Sequence, residues 1–128
     1  KYIIEVFNKI KPPYNINQET QDIVLEALDN VRQVNTWIQE TVAERDRLAA
    51  ALESLAQVER ITPSDANFIL VKLEQPRLLY TYLVDRGIIV RDRSSVTLCE
   101  GCLRVTVGTP TENAALVSAI VNFYGDLI

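Results

Sequence analysis

One arginine stands alone on the polar side of an otherwise apolar strand pattern, and it is the strongest chemical feature of the chain. In Gly101-Cys102-Leu103-Arg104-Val105-Thr106-Val107-Gly108-Thr109-Pro110, period-two alternation puts Leu103, Val105 and Val107 on one face and Arg104 and Thr106 on the other. Gly108 ends the strand. Thr109 is placed to cap a following helix, Pro110 suits its first turn, and Glu112 completes a capping-box spacing. Arg104 therefore sits just before a sharp strand-to-helix turn. From such a rigid element a planar guanidinium can pair bidentately with a carboxylate or a phosphate. On spacing alone, the commoner outcome is an arginine solvating the wet face of an antiparallel sheet.

Other chemistry is sparse. The chain has no histidine, so the usual general base and the usual metal ligand are both missing. Cys99-Glu100-Gly101-Cys102 forms a CxxC. Zinc needs four ligands, and there is neither a second pair nor a histidine. A thioredoxin-type pair opens a helix, whereas this one leads into a strand. The pair is expected to be coincidental, with both thiols reduced. The net charge of -4 argues against a nucleic-acid or anionic-membrane partner. No apolar run is long enough to span a bilayer and no signal peptide is visible, so a cytoplasmic location is expected.

These residues must be positioned by a modest domain. With 128 residues, 48% hydrophobic and 23% charged, the composition is that of an ordinary globular chain. Lys1-Tyr2-Ile3-Ile4-Glu5 opens without methionine, like the tail of a helix, and is expected of a piece of a longer protein. Residues 1–10 read as that helix end, and Lys11-Pro12-Pro13-Tyr14-Asn15 as an extended linker. Asn17 can cap a helix carrying Ile23, Val24, Ala27 and Leu28, and Asp29-Asn30 marks a kink or short turn.

A long helix is expected from about Val34 to Ala56, with Ile38, Thr41, Arg45, Leu48, Leu52 and Leu55 on one stripe. At about 33 Å it is longer than so small a domain needs. Arg45, which interrupts the stripe, is expected to lay its stem on apolar surface and reach water with its head.

Strands follow at Val58 to Thr62 and Asn67 to Leu73. A helix opens at Pro76 and closes at Gly87, Ile88-Ile89-Val90 forms a third strand that ends in Arg91-Asp92-Arg93, and 94–101 is a polar loop. After the fourth strand, residues 110–124 form a last helix, with Leu116, Val117, Ile120, Val121 and Phe123 toward the sheet. The order is helices, then β-β-α-β-β-α: an α/β sandwich with helices on one face of a mostly antiparallel sheet.

Several segments together resemble one family. Lys11-Pro12-Pro13-Tyr14-Asn15, Ser64-Asp65-Ala66-Asn67-Phe68-Ile69-Leu70, Arg86-Gly87-Ile88-Ile89-Val90-Arg91-Asp92 and Gly101 to Thr109 occur in the order found in the C-terminal portion of histidinol-phosphate aminotransferases. These belong to the fold-type I enzymes dependent on pyridoxal 5'-phosphate (PLP). The resemblance implies that residues 1–13 are the end of a large domain and its linker, and that 14–128 are the small domain. In such enzymes the large domain carries the lysine that binds PLP, and the small domain closes over the substrate. The Ser-Lys and Gly-rich signature of that large domain does not occur, and Lys1, Lys9, Lys11 and Lys72 all lie in other contexts. The chain alone is therefore expected to be inactive.

By the same resemblance, Arg104 matches the arginine that grips the substrate's anionic end, and Arg91 a second arginine that helps to hold a phosphate. Arg93 is read as lying on the other strand face, in solvent. Tyr14 and Asn15 match the hinge between domains, and Asn67 is left unassigned. The implied reaction exchanges an amino group between L-histidinol phosphate and 2-oxoglutarate, giving imidazole acetol phosphate and glutamate in histidine biosynthesis. The implied partners are small phosphate or carboxylate substrates, the large PLP domain of the same chain, and a second subunit in a homodimer. Two other readings remain open: the small domain of an aspartate- or aromatic-type aminotransferase, and a stand-alone α/β domain that binds an anion or a protein partner.

Overall fold

The computed structural model describes residues 2–10 and 16–126. The expected linker at 11–15, with Tyr14 and Asn15, lies outside them. Five helices and four strands follow in the order α1 (Tyr2–Ile10), α2 (Gln18–Leu28), α3 (Val31–Glu53), β1 (Val58–Thr62), β2 (Phe68–Leu73), α4 (Pro76–Asp85), β3 (Arg91–Asp92), β4 (Cys102–Thr106) and α5 (Pro110–Gly125). The chain divides into two compact units, residues 1–35 and 36–128.

In the first unit, α1 and α2 bury no residue. Asn17 caps α2 as expected: its Oδ1 accepts from Thr20 N–H at 2.7 Å. The turn at Asp29-Asn30 is also present.

The second unit is the expected sandwich. Its antiparallel sheet has the order β1-β2-β4-β3. Ile69, Val71 and Leu73 of β2 and Leu103 and Val105 of β4 form one apolar face. Leu48 and Leu52 of α3, Leu79 and Leu83 of α4, and Leu116, Ala119, Ile120, Phe123 and Tyr124 of α5 all join the same cluster. A register shift between Val58 and Arg60 lets both Val58 and Ile61 pack against that cluster. The other face carries Thr62, Phe68, Leu70, Lys72 and Arg104, all half-buried, and exposed Thr106.

The structure corrects several expectations. The third strand is confined to Arg91–Asp92, the end of the expected segment, and leaves out Ile88 to Val90. Gly87, at φ +75, donates its N–H to Val84 O, and Ile88 N–H reaches Leu83 O. This double closure of α4 uses the residues where the strand was expected, so pairing starts three residues later. The long helix starts and ends three residues earlier than expected, and of its stripe only Leu48 and Leu52 are buried, with Ile38 exposed. Val121 points away from the sheet. Arg45 does not reach freely into water. Its side chain is 16% exposed, paired with Asp46 at 3.3 Å and donating to Ala66 O at 3.5 Å.

Candidate functional site

Arg104 owes its position to its neighbours. Leu103 and Val105 bury on the helix-covered face, so alternation turns Arg104 to the open one. Across the β2–β4 ladder it faces Leu70, with Phe68 one pair further along. Its guanidinium carbon lies 5.0 Å from the centroid of the Phe68 ring, within cation–π range. Its Nε is buried and has no hydrogen-bond partner.

On the other side, Arg91 of β3 is the direct ladder partner of Arg104. Directly opposed residues in an antiparallel pair lie about 4.5–5.5 Å apart at Cα. Two like charges so placed repel each other. Arg91 is exposed. The structure thus brings together the two arginines named from the sequence, on the sheet face opposite Leu103 and Val105.

Arg93 departs from expectation. It lies two residues beyond Arg91, so strand alternation would put both on one face rather than opposite faces, and it is half-buried rather than solvated. Its backbone N–H extends the ladder to Cys102 O at 2.9 Å. Between these arginines, Ser94 holds the Asp92 carboxyl below the usual carboxylate range, its N–H donating to Oδ1 at 2.8 Å. Asn67, unassigned from sequence, is a structural link: its carbonyl accepts from Val107 N–H at 2.9 Å.

The cysteine pair leads into β4, as read from the sequence. Cys99 and Cys102 are free thiols at the two ends of a turn closed by Cys102 N–H to Cys99 O at 2.9 Å. Gly101 supplies the φ of +77 that the turn requires. Among the described residues, no group of three or more His, Cys, Asp or Glu is arranged to hold a metal ion. Lys9 is exposed on α1, and Lys72 Nζ is 2.5 Å from Glu59 Oε2 on the sheet. Two clefts of about 410 and 380 Å³ flank the end of β4, and the arginine pair lies outside both.

Sequence reasoning missed a buried polar cluster at that strand end. Asn113 Oδ1 accepts from Gly108 N–H at 2.9 Å, and Asn113 Nδ2 donates to Gly108 O and to Glu44 Oε2, each at 3.0 Å. Arg47 pairs with the other carboxylate oxygen of Glu44. A signal for it existed. Glu44 lies one turn before Leu48 and Leu52, and Asn113 lies on the stripe of Leu116 and Ile120. A polar residue on an apolar stripe announces a buried partner.

Beyond the site, the turn after β4 is the capping box read from the sequence. Thr109 and Glu112 bond reciprocally, and these bonds to Thr109 hold the Glu112 carboxyl below its usual range. No described helix is long and apolar enough to cross a membrane.

Comparison with known proteins agrees with this architecture. The sequence profile of aminotransferase class I and II matches residues 1–120. A histidinol-phosphate aminotransferase of Cytophaga hutchinsonii is 46% identical over 123 residues, which are 96% of this chain and 35% of that protein. One from Parabacteroides distasonis is 46% identical over 120 residues, covering 94% of this chain and 35% of that protein. The crystal structure of the histidinol-phosphate aminotransferase from Clostridium acetobutylicum shares the fold, with a TM-score of 0.79 at 21% identity over 98% of this chain and 39% of that one. The chain thus spans about a third of the length of the curated relatives it matches. A profile match across nearly the whole chain, on a sheet that presents paired arginines, places the chain in the class I and II aminotransferase family.

Proposed function

We propose that this chain is the C-terminal, small-domain portion of a PLP-dependent histidinol-phosphate aminotransferase, with residues 1–13 leading in from the large domain and 14–128 forming the small one. The parent protein would transfer an amino group from L-histidinol phosphate to 2-oxoglutarate. The observation that carries this reading is the pairing of Arg91 with Arg104 across the β3–β4 ladder. Two opposed cations cost stability in the free protein, and an anion between them offsets that cost. A phosphate ester approaching two negative charges suits two cations, where a carboxylate needs one. The names of the relatives from Cytophaga and Parabacteroides supply the substrate.

In this role Arg104 binds the anionic end of the substrate, its rigidity coming from the strand and from Phe68. Arg91 adds the second contact. Neither moves a proton. Their work is orientation and exclusion of unproductive poses. PLP would be held by a large domain whose lysine this chain does not contain, so the chain alone would not turn over. Homodimerisation and a cytoplasmic setting belong to the same proposal.

The test uses the full-length protein that carries this chain. L-histidinol phosphate added without 2-oxoglutarate should bleach the near-visible absorption of bound PLP, and 2-oxoglutarate should restore it. A PLP band that ignores histidinol phosphate but responds to aspartate or an aromatic amino acid would assign the chain to another branch of the family. A competent preparation without a PLP band would favour a stand-alone binding domain.

A further inference from the structure

Resting on the histidinol-phosphate reading, we propose that Asn113 and Glu44 are positioning residues that hold the end of β4, and through it Arg104, in register for the substrate anion. The geometry is a clasp. Asn113 grips both polar groups of the Gly108 peptide positions, N–H at 2.9 Å and C=O at 3.0 Å, and its remaining N–H is anchored on Glu44 of α3 at 3.0 Å. Asn113 and Glu44 are each 7% exposed. Every strong donor of the Asn113 amide is used, so the network is satisfied and rigid.

Gly108 sits at the centre, where a side chain has little room. A Cβ there would lie 2.9 Å from Glu112 Oε2 and 3.0 Å from Glu112 Cβ, inside the capping box that starts α5. From the clasp the connection to the candidate site is short. Val107, next to Gly108, donates its N–H to Asn67 O at 2.9 Å. The residue after Asn67 is Phe68, whose ring lies beneath the Arg104 guanidinium. The clasp therefore fixes the edge where β2 and β4 present the stacked pair.

Packing alone does not call for this cluster. Leu48, Leu52, Leu116 and Ile120 already join α3 and α5 in one core. A buried carboxylate adds a desolvation cost that an apolar residue would avoid. What it adds instead is direction, since hydrogen bonds fix the angle of the Gly108 turn where apolar contact does not. A guanidinium serves an anion only when held within about 0.5 Å and 10–20° of the productive geometry.

The experiment is a double-mutant cycle in the full-length enzyme. Asn113→Ala should raise KM for L-histidinol phosphate about threefold to thirtyfold while kcat stays within about twofold. Glu44→Gln, which keeps an oxygen acceptor for Asn113, should stay within about threefold of wild type. In an Arg104→Ala background, Asn113→Ala should add nothing further, because its effect runs through that arginine. Glu44→Ala is the second variant should Asn113→Ala fail to retain PLP, and it should raise KM in the same way. Folded variants with unchanged KM, or losses that simply multiply with Arg104→Ala, overturn the proposal while leaving the substrate reading intact. A wild-type enzyme inert toward histidinol phosphate, or a silent Arg104→Ala, overturns the substrate or anion reading itself, and this inference with it.

Discussion

Leu103 and Arg104 are consecutive residues with opposite fates. Leu103 is 1% exposed, inside the core that α3, α4 and α5 share. Arg104 stands half-buried on the other side of the same strand, stacked on Phe68 and facing another arginine. One face of the sheet is held by dispersion and the hydrophobic effect, and its residues need only volume and shape. The other face keeps a like-charge pair that does nothing for stability in the free protein. The contrast separates what makes the domain fold from what the proposed function asks of it.

Substitutions on the two faces should therefore fail in different assays. Leu103→Ala should cost about 2–5 kcal/mol of stability, read as a lowered denaturation midpoint of the full-length protein. The part that still folds should keep a near-normal KM. A small stability loss, or a KM that collapses before stability does, would erase the division between the faces.

Arg104→Ala should do the reverse. It should lower kcat/KM for L-histidinol phosphate by about tenfold to a thousandfold, the loss of a charge-assisted pair. Its stability cost should be smaller than that of Leu103→Ala, since the substitution also removes the repulsion from Arg91. Unchanged steady-state kinetics would remove Arg104 from the site.

Arg91→Ala sharpens the contrast within the open face. The exposed second cation should matter less, about twofold to tenfold in KM for histidinol phosphate. It should matter less still for glutamate, whose anionic end is a single carboxylate. Equal effects on the two substrates would deny it a phosphate role.

How much of this could be read from the chain alone follows the same division. Leu103, Val105, the Gly108 stop and the Thr109–Glu112 box are local patterns, and local patterns survive folding. Strand 3 was displaced because the end of α4 drew Gly87 and Ile88 into its closure, which period-two counting does not register. The opposition of Arg91 and Arg104 is a matter of register between strands, set by tertiary packing. Helical spacing admits either Glu44 or its neighbour Arg45 to the Leu48–Leu52 stripe. Yet Glu44 is the residue on the Leu48–Leu52 line, and Arg45 ended in contacts with Asp46 and Ala66.

Cys102 is the residue that strains the two-face picture, and it offers the smallest and finest test. Ladder pairing with Lys72 puts it on the open face, yet it is 1% exposed. The turn from Cys99 folds over it, and the Lys72 stem runs within about 3.5 Å of where a Gly101 Cβ would stand. Burial pushes the Cys102 thiol up from its usual range, and the neighbouring Cys99 adds to the effect, against a smaller pull from Arg60 and Lys72. The thiolate is the form that reacts, so at neutral pH Cys102 should be alkylated at least about tenfold more slowly than half-exposed Cys99. Raising the pH should speed the labelling of Cys102 as its thiolate fraction grows toward its raised pKa, and denaturation should make the two alike. A brief iodoacetamide pulse on the folded full-length protein, read by peptide mass, measures both rates at once. Equal labelling in the folded protein would mean that the turn does not cover the thiol, and that the open face continues unbroken from Arg104 to Cys102.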